Sequence, residues 1–241
     1  SFSPFDEGRL VTCGTGHIRF WKMARTFTGL KLQGDIGKFG KIELSDVDDF
    51  AILPDGKVLS TSETGYLLMW DGNFVKYRVS RPGGIPCHDG IISHVSLIRS
   101  KSGEGIAFMS AGADGKLCWW DFEALDGAEI DMDKTTDFEM EPLKEYWLGE
   151  DVSVRTVLRS SRNSATNDPH MLIIDSNGRL IKLHIEEVFS RRGSMSAEEA
   201  QHVTAGSESK ESDAVRGYTF DVIVADNLDA TKSCFETLFE C

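Results

Sequence analysis

The chain has 241 residues, with 26 basic against 39 acidic side chains, a formal charge of −13, and 40% apolar residues. This suits one or two folded domains with a sizeable core and excludes a collagen-like or wholly disordered chain. The acidic balance argues against a dedicated nucleic-acid binder and against docking on anionic lipid through a polybasic patch.

Along the chain, Ser1–Phe5 reads as the tail of a strand, with Phe2-Ser-Pro as its closing turn. Gly8–Trp21 has the chemistry of a β-hairpin, two apolar runs around Thr15-Gly16. Gly34–Lys41 looks phosphate-binding, but five residues separate Gly34 from Gly40 and Ile42 follows Lys41, whereas a P-loop needs four and a Ser or Thr. It therefore reads as a flexible linker. Next come a strand at Asp48–Leu53, the turn Pro54-Asp55-Gly56, a hairpin over Gly56–Asp71 and a strand at Phe74–Val79. The pattern returns as Ile91–Arg99, a hairpin over Ile106–Asp121, and Leu143–Leu148. At its tip, Asp114-Gly115 predicts a type I′ turn, which needs φ > 0 at both central residues. A last round gives Ser153–Arg159, a degraded hairpin over Met171–Leu183, and a run at Cys234–Glu240.

In each hairpin a Gly lies five residues before Trp21, Trp70, Trp120 or Leu183, so the Trp-to-Trp periods are 49 and 50 and the last step is 63. Four short antiparallel strands per repeat of about 45 residues describe a propeller blade, and Trp70-Asp71 and Trp120-Asp121 carry the WD-repeat signature. The expected fold is all-β: about four consecutive four-stranded blades of a WD-repeat β-propeller, forming part of a larger, seven-bladed one. The expected units are 1–34 (its first strand mostly missing), 45–80, 87–148 with an acidic insertion at 123–141, and 152–241 with a Ser/Glu-rich, disordered insertion at 189–217.

The third repeat resembles WD repeats that hold a buried polar network, which would link His88, Ser110, Asp114 and Trp120. Thr15, Thr64 and Asn177 stand where Asp114 does, and Leu183 removes the indole, so those repeats are expected to rely more on apolar packing. Ser, His and Asp together also suggest a hydrolase triad, but no nucleophile elbow accompanies them.

Glu123–Glu150 holds ten acids against Lys134 and Lys144, while Gly72–Ser102 carries Lys76, Arg78, Arg81, Arg99 and Lys101 against Asp89 alone. The acidic segment reads as a solvated loop or as an acidic face for a basic partner. Within it, Asp131–Asp137 hints at a calcium loop but lacks the Gly and Glu that an EF-hand needs at positions six and twelve. Cys87, His88 and His94 lack the partners that would complete a zinc site. No catalytic residue, metal or cofactor is expected. In the later insertion Met195–Val203 has the pattern of a short helix, and Arg191-Arg192-Gly193-Ser194 makes Ser194 a candidate phosphosite for a basophilic kinase. Five scattered cysteines, two of them within strand-like runs, suit free thiols in a reducing, cytosolic compartment.

Residues 14–34, Phe39-Gly-Lys41, Leu53–Ser60, Trp120–Glu123 and Glu236–Glu240 resemble the cilia- and flagella-associated protein 44 family, WD-repeat proteins of the axoneme. The resemblance is lost over Phe189–Gly217. It implies a structural role in the tether and tether-head complex, which links the motor domain of the inner-arm dynein I1/f to the doublet microtubule. It further implies partnership with the paralogue cilia- and flagella-associated protein 43, and coiled coil elsewhere in the family protein. Two other classes are open: a WD-repeat adaptor outside cilia, in a ubiquitin ligase or trafficking coat, and an enzyme using a propeller cavity.

Overall fold

The computed structural model describes residues 1–99, 106–131, 133–159, 170–184 and 221–223. These fall into two compact units: residues 1–99, 106–156 and 175–177 form the first and carry three sheets, and most of a fourth sheet belongs to the second. Among the described residues no helix is long and apolar enough to cross a membrane.

The first sheet has the order β1 (Arg9–Gly14), β2 (His17–Thr26), β3 (Gly29–Ile36), all antiparallel. Phe2 bridges Leu10, and the Val11 amide donates to the Ser1 carbonyl at 2.9 Å, so the first residues lie along β1. β1 pairs with His17–Lys22 only, whereas β2 and β3 stay paired out to Thr26 and Gly29. Beyond Lys22 the sheet is therefore a two-stranded arm.

The segment after β2 is not the flexible linker that its glycines suggest. Gly34 lies within β3, under the Trp21 ring, where any Cβ would overlap the indole. The Gly37 amide donates to the Ile18 carbonyl at 2.7 Å, the Lys38 amide to Asn73 at 2.8 Å, and Phe39 is buried edge-on against Trp70. The glycines permit close approach of backbone to ring rather than freedom of movement.

The second sheet contains β4 (Phe50–Ile52), β5 (Val58–Ser60), β6 (Leu67–Asp71) and β7 (Phe74–Ser80). The third contains β8 (Ile92–Arg99), β9 (Ile106–Gly112) and β10 (Lys116–Asp121). After β10 come a one-turn helix α1 (Phe122–Asp126), the short strand β11 (Asp137–Glu139) and β12 (Lys144–Trp147). β12 completes the third sheet in the order β12-β10-β9-β8, but β11 crosses to the second, giving β11-β7-β6-β5-β4. Its pairing with β7 is parallel, with Asp137, Phe138 and Glu139 opposite Arg78, Val79 and Ser80.

Two expectations change here. The β9–β10 turn is not type I′, because Gly115 has φ +69° while Asp114 is not among the residues with positive φ. The loop runs over Ala113–Gly115 and closes with the Gly115 amide on the Gly112 carbonyl at 3.2 Å, so only the glycine is left-handed. The acidic insertion, in turn, is not a solvated loop. It contributes a helix and a strand.

The fourth sheet has the order β13 (Val154–Arg159), β14 (His170–Asp175), β15 (Leu180–His184), β16 (Asp221–Ile223). The strand pairing with β15 is thus Asp221–Ile223. The run at Cys234–Glu240, the insertion 189–217 with its expected helix, and Ser194 lie outside the described residues.

Period-two alternation gives each strand two faces, and the apolar faces bury against the neighbouring sheet. Val11, Ile18, Phe39, Val58, Leu68 and Trp70 fill the space between the first and second sheets. Leu59, Leu67, Met69, Tyr77, Phe108 and Trp120 fill that between the second and third. Each large side chain so buried contributes roughly 1.5–3 kcal/mol.

Candidate functional site

Three hairpins carry a Trp in their second strand, and its indole nitrogen needs an acceptor once buried. β9 supplies one to β10: Trp120 Nε1 donates to Ser110 Oγ at 2.8 Å. His88, four residues before β8, places Nε2 at 2.7 Å from the same hydroxyl and Nδ1 at 2.9 Å from Asp114 Oδ1. In the tautomer that satisfies every atom, indole N–H donates to Ser110, Ser110 to His88 Nε2, and His88 Nδ1 to Asp114. Asp114 also accepts from the amides of Asp89 and Lys116 at 3.0 and 3.1 Å. Burial pushes its carboxyl up, but the hydrogen bond from His88 together with these amides outweighs it, holding the group below its ordinary value. Gly112 makes the network possible, since a Cβ there would stand 2.6 Å from His88 Nδ1.

The structure thus brings His88, Ser110, Asp114 and Trp120 together, and it also shows why they are no hydrolase triad. Ser110 is fully buried, and its oxygen already accepts from an indole, so no acyl group can reach it.

The other repeats keep more of this arrangement than their sequences suggest. Trp70 Nε1 donates to Ser60 Oγ at 2.8 Å, and Trp21 Nε1 to Thr12 Oγ1 at 3.0 Å. In the second sheet Ser62, which stands where the third repeat has Gly112, lies with its Oγ 3.3 Å from Thr64 Oγ1 and accepts from the Tyr66 amide at 2.9 Å. These two repeats therefore retain the hydroxyl–indole pair rather than relying on apolar packing alone. The two signature aspartates diverge. Asp121 caps α1, accepting from the Glu123 and Ala124 amides at 2.9 and 3.4 Å, whereas Asp71 closes the β6–β7 hairpin opposite Phe74 at an exposed position.

The acidic insertion forms a strap over the second sheet. Leu125 of α1 is fully buried in the core, and the Tyr77 hydroxyl donates to its carbonyl. Ile130, Phe138 and Met140 pack against the same core, with the Phe138 ring 5.5 Å from Tyr77. Arg78 lies 4.0 Å over the Tyr66 ring and grips both Asp137 oxygens, at 2.7 and 2.8 Å. That bidentate bond holds the Asp137 carboxyl below its usual range. Lys57 binds Asp55 and Asp126 at 2.7 and 2.9 Å, Lys41 binds Asp133 at 3.1 Å, and Glu145 bridges Arg81 at 2.5 Å and Lys116 at 2.9 Å. The basic run 72–102 and the acidic run 123–150 are thus partly each other's partners.

The residues tested for metal chemistry are engaged elsewhere. Asp131 binds Lys134 and the Asp133 amide. His94 Nδ1 is 2.7 Å from Asp49, and Cys87 Sγ donates to the Val79 carbonyl at 3.4 Å. Burial pushes the Cys87 thiol up to about 12, and Cys118 is raised as well, so both are protonated, unreactive thiols. No group of three or more metal-binding side chains occurs among the described residues. A cleft of about 440 Å³ opens between the first two sheets near Arg9, Trp21, Lys22, Asp35 and Asp55, without a convergent set of catalytic groups.

No family model matches the chain. It is 43% identical over 185 residues to cilia- and flagella-associated protein 44 of Mus musculus, covering 77% of this chain and 10% of the relative. It is 65% identical over 99 residues to the Chlamydomonas reinhardtii protein of the same name, covering 41% of this chain and 6% of the relative. Echinoderm microtubule-associated protein-like 4 of Xenopus laevis is 31% identical over 144 residues, 54% of this chain and 14% of that protein. The chain therefore spans about a tenth or less of the first two relatives. Among solved structures, the β-propeller domain of Cps50 (Swd1) from Myceliophteria thermophila superimposes with a TM-score of 0.52 at 14% identity, over 76% of this chain and 54% of that one. The fold is that of a WD40 β-propeller domain, all-β with almost no helix.

Proposed function

The chain belongs to the cilia- and flagella-associated protein 44 family, and from that premise we propose that it is a structural scaffold of the axoneme. In this reading it is a WD-repeat part of the tether and tether-head complex. It links the inner-arm dynein I1/f motor domain to the doublet microtubule, together with cilia- and flagella-associated protein 43. The identity of 43% across 77% of the chain is the observation that carries the reading. Sheets stapled by buried networks and by the strap suit a rigid platform for protein partners, and the His88 network serves that rigidity rather than catalysis. The blades of the scaffold follow the divisions 1–34, 45–80, 87–148 and 152–241, with the first extended to Ile36, where β3 ends.

Fractionation of isolated axonemes tests this. The tagged protein should stay with the doublets, be released under conditions that extract inner-arm dynein, and cross-link to the dynein and to the paralogue. Recovery in a ubiquitin-ligase or coat complex, with none in axonemes, would favour the non-ciliary adaptor instead. The likeness to a microtubule-associated protein favours a direct contact with the lattice. Co-sedimentation with polymerised microtubules in the absence of dynein checks it.

A further inference from the structure

β3 is the outermost strand of its sheet, as β7 is the outermost antiparallel strand of the next, and both directly follow the strand that bears the Trp. β7 has its outer edge covered by β11, in which Phe138 alternates with Asp137 and Glu139 and which Met140 follows. Among the described residues β3 has no such cover: it pairs only with β2, and all eight of its residues are exposed. A bare strand edge displays unpaired amides and carbonyls that invite another strand. Its side chains invite the same: Leu30 is 69% exposed and Leu32 45%, next to Met23 of β2 at 49%, with Phe27 fully exposed at the arm's tip.

The charge around this edge is one-sided. From His17 to Gly34 the chain carries Arg19, Lys22, Arg25 and Lys31 and not one acid, in a molecule of net charge −13. Among the described residues Lys22, Arg25 and Lys31 take no ion-pair partner, and Asp35 is the single acid on β3. Arg78 of β7 is satisfied by an acidic strand from the chain itself. Lys22, Arg25 and Lys31 beside β3 are left without one among the described residues.

We propose that the outer edge of β3 accepts an acidic, extended segment of a partner protein as an added strand, in the way β7 accepts β11. The segment alternates carboxylates with apolar side chains, so that main-chain bonds fix it, Lys31, Lys22 and Arg25 select its charge, and Leu30 and Leu32 take its apolar residues. The inference rests on reading the chain as an interaction scaffold and is independent of where in the cell the scaffold sits.

The probe is a fluorescent peptide with the sequence of Thr135–Glu141, alongside an analogue carrying Lys at its three acidic positions. Anisotropy with the whole chain should show the acidic peptide binding at least about tenfold more tightly than the Lys analogue. Lys31→Glu, a change at an exposed side chain, should weaken it about fivefold or more, and Arg78→Glu should leave it unchanged. Hydrogen exchange should show new protection over Gly29–Ile36 when the peptide is added. Absent binding, equal binding of the Lys analogue, insensitivity to Lys31→Glu, or protection confined to β7 would each overturn the proposal. Such a failure leaves the axonemal reading untouched, since that stands or falls on fractionation.

Discussion

The outer edges of β7 and β3 show two fates for the same structural element. β7 is overlaid by a parallel strand whose carboxylate Arg78 holds with two bonds, and Tyr77 beneath it packs on Phe138. β3 keeps its edge, its leucines and its lysine in solvent. A segment rich in one charge need not be a solvated one. Of the ten acids in 123–150, Asp126, Asp131, Asp133, Asp137 and Glu145 sit in ion pairs, and all but Asp131 reach bases outside the segment. Apolar residues threaded between the charges pull the strap inward, while the charges settle where it lies.

The largest test of the strap's anchoring is Leu125→Ala. It empties a fully buried site under α1 and should cost about 2–4 kcal/mol in chemical denaturation. A cost below about 1 kcal/mol would mean that the strap lies on the second sheet without being anchored in its core. Ser110→Ala strands the Trp120 indole N–H and His88 Nε2 together and should cost about 2–3 kcal/mol. Ser60→Ala strands one donor in the second sheet and should cost less, about 1–2 kcal/mol. Equal losses would remove the distinction between the full network and the reduced one.

Arg78→Ala should cost only about 1 kcal/mol globally, because the pair with Asp137 is partly exposed. Its local effect should be larger, with faster amide exchange over Asp137–Glu139. The same pair sets a pH dependence. The folded Asp137 carboxyl titrates below its ordinary value of 3.8, so its contribution is complete above that value and fades as the pH falls through the lower, folded one. Strap protection should therefore weaken in acid below about pH 4 in the native chain, and the Arg78→Ala variant should lose that dependence. The smallest effect belongs to the bare edge. Leu30→Gln should change stability by less than about 0.5 kcal/mol, since the side chain has no core to leave.

Much of the architecture was legible in the residues. Glycine five places before Trp21, Trp70 and Trp120 marks the hairpins, and period-two alternation gives β7, β8 and β13 to within one or two residues. The network of His88, Ser110, Asp114 and Trp120 could be read because each member holds a fixed place in the repeat. β11 was missed, although Asp137-Phe138-Glu139-Met140 alternates as a strand should, because the density of carboxylates masked the apolar residues between them. The Gly34–Lys41 segment misled in the opposite sense, since glycine spacing cannot distinguish a loose linker from a backbone pressed against Trp21 and Trp70. Asp114-Gly115 has the composition of a two-residue turn, but the loop takes one residue more.

The sequence by itself determined the repeat, the all-β class and the hairpins, because these depend on local periodicity and on spacings within one hairpin, whereas the hydroxyl–indole pairs of Ser60 with Trp70 and Thr12 with Trp21 came only from the structure. Only the tertiary structure decided which edges are covered. Strand addition joins residues about sixty positions apart, as Arg78 and Asp137 are, and no local pattern encodes that pairing. What selects it is the meeting of a basic edge with an acidic, alternately apolar segment long enough to reach it.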